Sequence, residues 1–116
     1  MKYIFAILAL SSFLFAQTSF KKDVEYRCLN TQRVDKGQTI DVSVEEAKSK
    51  EFVFILQGQQ LITKERVVFD FRMEKGPMMS YANSDYMLLL LPNLSMGLVP
   101  KKSKGQLQLY YTCSDE

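Results

Sequence analysis

The chain has 116 residues, 47% of them hydrophobic, and its 15 basic and 13 acidic residues leave a net charge of only +2. These values are typical of one folded domain, because disordered chains are poorer in apolar residues and more highly charged. The near balance of charge argues against a nucleic-acid partner, since such domains concentrate basic residues on one face.

The first predicted element is a signal peptide over residues 1–16. Lys2 supplies the positive start, residues 3–10 are a continuous apolar run, and Ala16 is a small residue suited to cleavage. The run is shorter than the roughly 20 apolar residues of a membrane span, so we expect cleavage rather than an uncleaved anchor. No cysteine ends the run, which argues against lipid attachment. We predict one exported domain over residues 17–116, periplasmic or secreted, with no stable membrane span after cleavage.

The two cysteines, Cys28 and Cys113, lie near the two ends of the mature chain. An even pair in an oxidising compartment predicts a disulfide. The alternative is a free or catalytic thiol, but redox-active pairs are usually close in sequence, as in C-x-x-C, and no such motif is present. We therefore predict one structural disulfide between Cys28 and Cys113.

Alternating and apolar runs along the mature chain predict about eight short strands separated by turn residues. They cover residues 23–29, 39–44, 51–56, 60–63, 66–72, 86–91, 94–99 and 106–113. The stretch 78–82 is ambiguous. Cys28 and Cys113 each fall on the apolar face of their strand, so both thiols point into one core if the terminal strands meet. The fold class is all-β, a small antiparallel β-barrel or sandwich with one disulfide.

Several local features accompany these strands. Asn30-Thr31-Gln32 is polar and predicts the end of the first strand, and Gly97 predicts a β-bulge. Ser43 and Glu46 have the spacing of a capping box, which predicts a short helical turn over residues 45–50. Glu74-Lys75-Gly76-Pro77 predicts a stop between strands, and residues 17–22 form a polar lead-in with no clear period.

The chemistry that the sequence lacks is informative. There is no histidine, which removes the usual general base, the Ser-His-Asp triad and the commonest zinc ligand. There is also no glycine-rich phosphate loop. We expect no catalytic residue, no cofactor and no metal, and hence no enzyme.

Two groups of residues, carboxylates and methionines, are alternatives to this expectation. Carboxylate pairs, Asp70 with Glu74 and Glu45 with Glu46, are the minimum for glycosidase chemistry, but a barrel this small has little room for a sugar cleft, which favours solvated strand ends. Methionines are the second alternative, because their thioethers bind Cu(I). The opposing interpretation is that they fill gaps in the core. The five in the middle of the chain are Met73, Met78, Met79, Met87 and Met96.

The candidate partner-binding loops are Asn83-Ser84-Asp85 and Lys101-Lys102-Ser103-Lys104. Three like charges on a constrained loop suit an acidic groove on a protein or an anionic envelope polymer. The alternative is a solvated turn that blunts a sheet edge. Three tyrosines near these loops in sequence, Tyr81, Tyr86 and Tyr110, form either a binding face or part of the core.

The ends of the chain carry a resemblance to a known family. An exported chain of this size with Tyr26-Arg27-Cys28 near its start and Cys113 near its end resembles the MliC/PliC family of c-type lysozyme inhibitors. The resemblance implies a small periplasmic antiparallel barrel and a lysozyme-like protein partner. Asn83-Ser84-Asp85 and Ser103-Lys104-Gly105 lie roughly where that family keeps its inhibitory loops, and Ser84 and Lys104 are the nearest counterparts of its inhibitory residues.

The sequence thus predicts a non-enzymatic exported β-domain that binds a protein or a cell-envelope component. The candidate contact residues are Ser84, Tyr86, Lys101, Lys102 and Lys104. The two alternatives are an inhibitor of c-type lysozyme and a carrier that holds a small apolar ligand inside the barrel.

The leader makes the first testable prediction. Export should remove residues 1–16, so that the mature protein begins at Gln17. N-terminal sequencing and intact mass of the protein recovered from its producing cells measure this. Cytosolic protein that retains Met1 would contradict it.

Overall fold

The computed structural model describes residues 19–115. The signal peptide predicted over residues 1–16 lies outside this range. In the part of the chain that is described, no helix has the length and apolar character needed to cross a membrane.

The described chain consists of nine strands, one short α-helix and a single 3-10 turn. In order they are β1 Glu25–Asp35, β2 Gln38–Asp41, α1 Val44–Ser49, β3 Phe52–Gln57, β4 Gln60–Thr63, β5 Val68–Lys75, β6 Met78–Ala82, β7 Tyr86–Leu91, β8 Ser95–Pro100, the 3-10 turn Lys101–Ser103 and β9 Leu107–Ser114.

The strands form a closed antiparallel barrel. From β3 to β9 each strand pairs with the next, β1 pairs with β3, and β1 also pairs with β9 to close the ring of eight. The ninth strand, β2, pairs only with the distal half of β1, from Gln32 to Asp35. The all-β prediction is confirmed, and of its two architectures the barrel is the one observed.

The predicted end of the first strand at Asn30-Thr31-Gln32 is wrong. β1 continues to Asp35, and the polar triplet forms a β-bulge instead: Asn30 lies opposite Tyr111, whereas Gln32 lies opposite Tyr110. The Asn30 side chain stabilises the bulge by donating to the carbonyl of Tyr110 at 2.8 Å and to that of Gln32 at 3.0 Å. A bulge leaves one residue unpaired without ending the strand.

The predicted bulge at Gly97 is also wrong. Gly97 lies in regular register between Leu89 on β7 and Tyr110 on β9. A Cβ at this position would be 3.9 Å from the Tyr110 ring. The irregularity instead falls on β5, where the register shifts between Phe71 and Met73.

Two other local predictions concern the helix cap at Ser43 and the stop after β5. The Ser43 side chain accepts a hydrogen bond from the Glu46 amide at 3.2 Å, as the capping pattern predicts, and α1 follows it. The stop predicted at Glu74-Lys75-Gly76-Pro77 begins too early, because β5 runs through Lys75 and the turn occupies only Gly76 and Pro77. The ambiguous stretch 78–82 is β6.

The core fills the barrel interior with aromatic and branched side chains and includes both cysteines. Its largest fully buried members are Phe54, Phe69, Leu56, Leu61, Leu88, Leu90, Met96 and Cys28. Cys28 and Cys113 lie directly opposite each other on β1 and β9 and form the predicted disulfide. A disulfide in a small β-barrel is consistent with an exported protein.

One end of the barrel is plugged by the segment that the sequence marks only as a polar lead-in. Phe20 is buried there, with its ring centroid 4.8 Å from that of Tyr26 and 5.6 Å from that of Phe54. The Asp23 amide donates to the Leu56 carbonyl at 2.8 Å, which attaches the segment to the end of β3. A single apolar residue without periodicity gives no sequence pattern, so this contact could not be predicted.

Loss of the disulfide should destabilise the barrel. The bond joins residues 85 apart, so it restricts the unfolded chain strongly, and the double variant Cys28→Ala/Cys113→Ala should lose about 3–5 kcal/mol of unfolding free energy. Urea unfolding followed by circular dichroism measures this, with reduced wild-type protein as the control. Equal midpoints for the oxidised wild type and the variant would contradict a stabilising bond.

Candidate functional site

The two ends of the barrel differ. Phe20 covers the end at which β1 begins, whereas four turns border the opposite end. One of them is the β1–β2 turn at residues 36–37, where the Lys36 amide donates to the Gln106 carbonyl at 2.9 Å. We call this second end the open end, and three of its turns, residues 64–67, 83–85 and 101–106, the rim. The rim turns connect β4 to β5, β6 to β7 and β8 to β9. Both candidate loops named from the sequence belong to the rim.

An apolar depression of about 260 Å³ opens beside the rim. The residues that line it are Phe52, Thr63, Glu65, Val67, Phe69, Tyr86 and Leu98. Phe69 and Leu98 are buried, whereas Val67 is 44% exposed although it is aliphatic. The depression is therefore an extension of the core that reaches solvent.

Aromatic rings form the walls of the depression. The Phe69 ring centroid lies 6.4 Å from those of Phe52 and Tyr86, and Phe52 lies 5.8 Å from Tyr111. Burial raises the pKa of Tyr111, and the nearby Tyr86 adds to the shift. Both effects favour the protonated, uncharged phenol.

The first rim turn is held by Thr63, the one buried polar side chain among residues 19–115. Its backbone N–H donates to the Val67 carbonyl at 2.9 Å, and its hydroxyl accepts from the Val67 amide at 3.0 Å. The Arg66 amide donates to the Thr63 carbonyl at 2.9 Å, with Arg66 at a φ of 71°. Bonds at both ends of the turn fix Glu65 and Val67 beside the depression.

The second rim turn is held by Asn83. Its side-chain oxygen accepts from the amides of Asp85 at 2.9 Å and Tyr86 at 2.8 Å, a local pattern in which asparagine stabilises turns. This arrangement leaves Ser84 exposed at the tip and starts β7 at Tyr86. The Tyr86 ring then lies on the depression.

The third rim turn is held by Ser103, whose hydroxyl donates to the carbonyl of Pro100 at 2.8 Å. Lys104 follows in the left-handed conformation, with a φ of 54°. The Lys101 amide donates to the Asp85 carbonyl at 2.8 Å. That bond joins the two candidate loops, which are well separated in the sequence.

The rim is basic. It carries five basic and two acidic side chains, all exposed: Lys64, Arg66, Lys101, Lys102, Lys104, Glu65 and Asp85. No ion pair found among residues 19–115 involves any of them. The positive charge of the rim therefore faces solvent around the aromatic depression.

The structure brings together all five candidate contact residues. Tyr86 lines the depression, and Ser84 and the three lysines lie on the two turns that the Lys101–Asp85 hydrogen bond joins. Of the other two tyrosines, Tyr81 is buried in the core, where burial raises its pKa with a smaller contribution from the charge of Glu74. Tyr110 donates from its hydroxyl to the Gln108 side chain at 2.6 Å.

The two carboxylate pairs do not form one site. Asp70 accepts from the Gln60 side chain at 3.3 Å, and Glu74 lies beyond the bulge of β5. Glu46 pairs with Arg33 at 3.8 Å. No group of three or more potential His, Cys, Asp or Glu metal ligands occurs in residues 19–115.

The methionines are divided between the core and the surface. Met96 is fully buried, whereas Met73 and Met87 are exposed. Met73, Met78 and Met79 line one small cavity of about 70 Å³ beside the β5–β6 hairpin.

Sequence reasoning missed the residues that form the floor and walls of the depression. Phe52, Phe69 and Leu98 follow the same alternation as other core residues, so no pattern marks them as lining a depression. Val67 belongs to the alternating run 66–72, but it lies in the turn before β5 and is exposed. In the sequence Val67 follows the charged triplet Lys64-Glu65-Arg66, and this position is the one local indication that its side chain is exposed.

Comparisons with known proteins gave no match: no family model fits the chain, and neither a curated protein nor a solved structure is significantly similar.

The bonds of Asn83 predict a measurable effect of its replacement. Asn83→Ala should cost about 1 kcal/mol of stability, because two backbone amides lose their acceptor. Asn83→Asp keeps an oxygen at the same place and should lie close to wild type. Urea unfolding gives the stability, and hydrogen exchange at Asp85 and Tyr86 reports the turn itself. Unchanged exchange in the alanine variant would show that Asn83 does not hold the turn.

Proposed function

We propose that this chain is an exported, non-enzymatic β-barrel domain that binds a protein partner through its open end. The observation that carries the proposal is the hydrogen bond between the Lys101 amide and the Asp85 carbonyl. It places Ser84, Lys102 and Lys104 on one continuous rim beside the aromatic depression. The absence of histidine from the sequence supports a role in binding rather than in catalysis.

Export is part of the proposal. It is supported by the leader pattern of residues 1–16 and by the disulfide between Cys28 and Cys113. Such bonds persist in oxidising compartments and are rare in the cytosol. Periplasmic or secreted protein is therefore the form in which the rim meets its partner.

The charge of the rim indicates the chemistry of the partner. Basic side chains exceed acidic ones by five to two on the three turns, so the complementary surface is acidic. An anionic envelope polymer would also be complementary to the positive charge of the rim. We favour a protein because the rim surrounds an apolar depression of about 260 Å³, and protein interfaces combine an apolar centre with a polar border.

Inhibition of a c-type lysozyme is a second candidate function. The observation that favours it is the contact between the turn of Ser84 and the turn of Lys104, because the family that the chain resembles in sequence uses two loops for inhibition. The cleft of a lysozyme carries paired carboxylates, which suits a lysine on a turn. This candidate is one special case of an acidic protein partner.

A carrier of small apolar ligands fits less well. Ligand sites usually enclose about 300–1,000 Å³ and bury most of the ligand. The depression is about 260 Å³ and open, and the remaining barrel interior is filled by side chains. Native mass spectrometry of the purified protein addresses this alternative, since a carrier retains its ligand as an adduct.

Charge reversal on the rim tests the proposal. The triple variant Lys101→Glu/Lys102→Glu/Lys104→Glu should lose capture of the partner from an extracellular or envelope extract and bind it with about tenfold or more slower association at low salt. The matched control is Lys21→Glu/Lys22→Glu/Lys75→Glu, which makes the same charge change at the plugged end. Pull-down with mass spectrometry identifies the partner, and surface plasmon resonance measures the rates.

A lysis assay separates the two candidate functions. Wild-type protein should slow cell-wall lysis by a c-type lysozyme, and Lys104→Ala should relieve the inhibition, if lysozyme is the partner. No slowing of lysis would remove lysozyme and leave other acidic proteins. Equal capture by the rim variant and by its control would contradict binding through the open end.

A further inference from the structure

We infer that the aromatic depression at the open end is an anchor pocket for one aromatic side chain of the protein partner. The inference rests on the proposed function, because it names what enters the site that the rim surrounds. The nearest walls are Phe52, Phe69, Tyr86 and Leu98, with Val67 at the edge.

The size of the depression favours a single side chain. A cavity of about 150 Å³ holds one benzene ring, whereas bound small molecules usually need more than about 300 Å³. The depression lies between these values at about 260 Å³. It therefore accepts one ring with its attached methylene and the edge of its backbone, and it is too small and too open to enclose a lipid.

The chemistry of the lining favours a ring over a charged group. Val67, Phe69 and Leu98 present carbon alone, the Thr63 hydroxyl accepts from the Val67 amide, and Glu65 is the one charged residue in the lining. Phe52 and Tyr86 stand on either side of Phe69, each with a centroid separation of 6.4 Å. Rings pack at centroid distances of about 4.5–7 Å in edge or offset geometry, so an incoming ring finds partners on two walls.

The exposure of Val67 is the observation that most favours a bound side chain in the pocket. This side chain is 44% exposed, yet three hydrogen bonds among Thr63, Arg66 and Val67 keep its turn in place beside the pocket. Arg66 adopts a positive φ to complete that turn. Such a conformation is unfavourable for a residue with a Cβ and recurs at binding sites, where the surroundings maintain it.

The test uses two acetylated and amidated five-residue peptides, each with two aspartates on either side of a central phenylalanine or alanine. The aspartates match the basic rim equally in both, so the difference between the peptides isolates the ring. The phenylalanine peptide should bind the mature protein about tenfold or more tightly than the alanine peptide. Methyl and amide chemical shifts of Val67 and Leu98 should move only with the phenylalanine peptide.

Two variants make the location specific. Val67→Gln places a polar side chain at the edge of the pocket and should reduce the preference for phenylalanine to about twofold or less. Val44→Gln alters a more exposed valine on α1 that does not line the pocket, and it should leave the preference unchanged. Thermal unfolding verifies that both variants fold.

The outcomes distinguish the pocket from the rim. Equal affinity for both peptides, with binding that weakens in salt, overturns the anchor pocket and leaves the basic rim intact. No binding of either peptide at low salt overturns both. Benzyl alcohol that binds more tightly than the phenylalanine peptide overturns the partner side chain and assigns the pocket to a free aromatic ligand.

Discussion

The pairing of β1 with β9 is the constraint on which the rest of the barrel depends. It joins the first and last strands, closes the ring of hydrogen bonds and places Cys28 directly opposite Cys113. Closure removes the free edges that an open sheet of eight strands would expose. It is also the most costly step in chain entropy, because the two segments are separated by most of the described chain. The disulfide acts at the position where that cost is greatest.

The same pairing determines which parts of the molecule are available for binding. β1 begins at the plugged end, where Phe20 packs on Tyr26 and Phe54. The turns at that end therefore border a filled interior. At the other end a depression that Phe69 and Leu98 line reaches solvent beside the rim turns, where Val67 is exposed. We therefore assign the proposed binding to the open end, because the core is complete at the other.

Most of the strands could be predicted from the sequence, because alternation and turn residues act locally. Ser43 as the helix cap and the pairing of Cys28 with Cys113 followed from spacing and compartment. The errors came from interactions between distant segments. The bulge in β1 exists because Asn30 reaches the carbonyl of Tyr110, and no local pattern reveals a partner 80 residues away. The regular register of Gly97 likewise depends on both neighbouring strands.

The candidate site too could be predicted only where local sequence patterns determine it. Ser84, Tyr86 and the lysines were recognisable as turn residues with suitable chemistry, but their proximity depends on the order of strands around the barrel. The floor of the pocket was hidden among core residues for the same reason: strand alternation marks a side chain as inward-facing without saying at which end the interior opens.

The rim turns have one structural principle in common, and it bears directly on how the site binds. Each is held by a polar side chain that bonds to its own backbone: Thr63, Asn83 and Ser103. A turn fixed in this way loses little conformational entropy when a partner docks, which leaves more of the contact energy for affinity. The basic side chains can remain mobile on a rigid backbone, since their role is attraction at a distance rather than exact placement. The ring walls, which need shape complementarity, lie instead on the strands, the most rigid part of the barrel. In the proposed complex, specificity therefore resides in the pocket and attraction in the rim, so substitutions in the two should affect dissociation and association respectively.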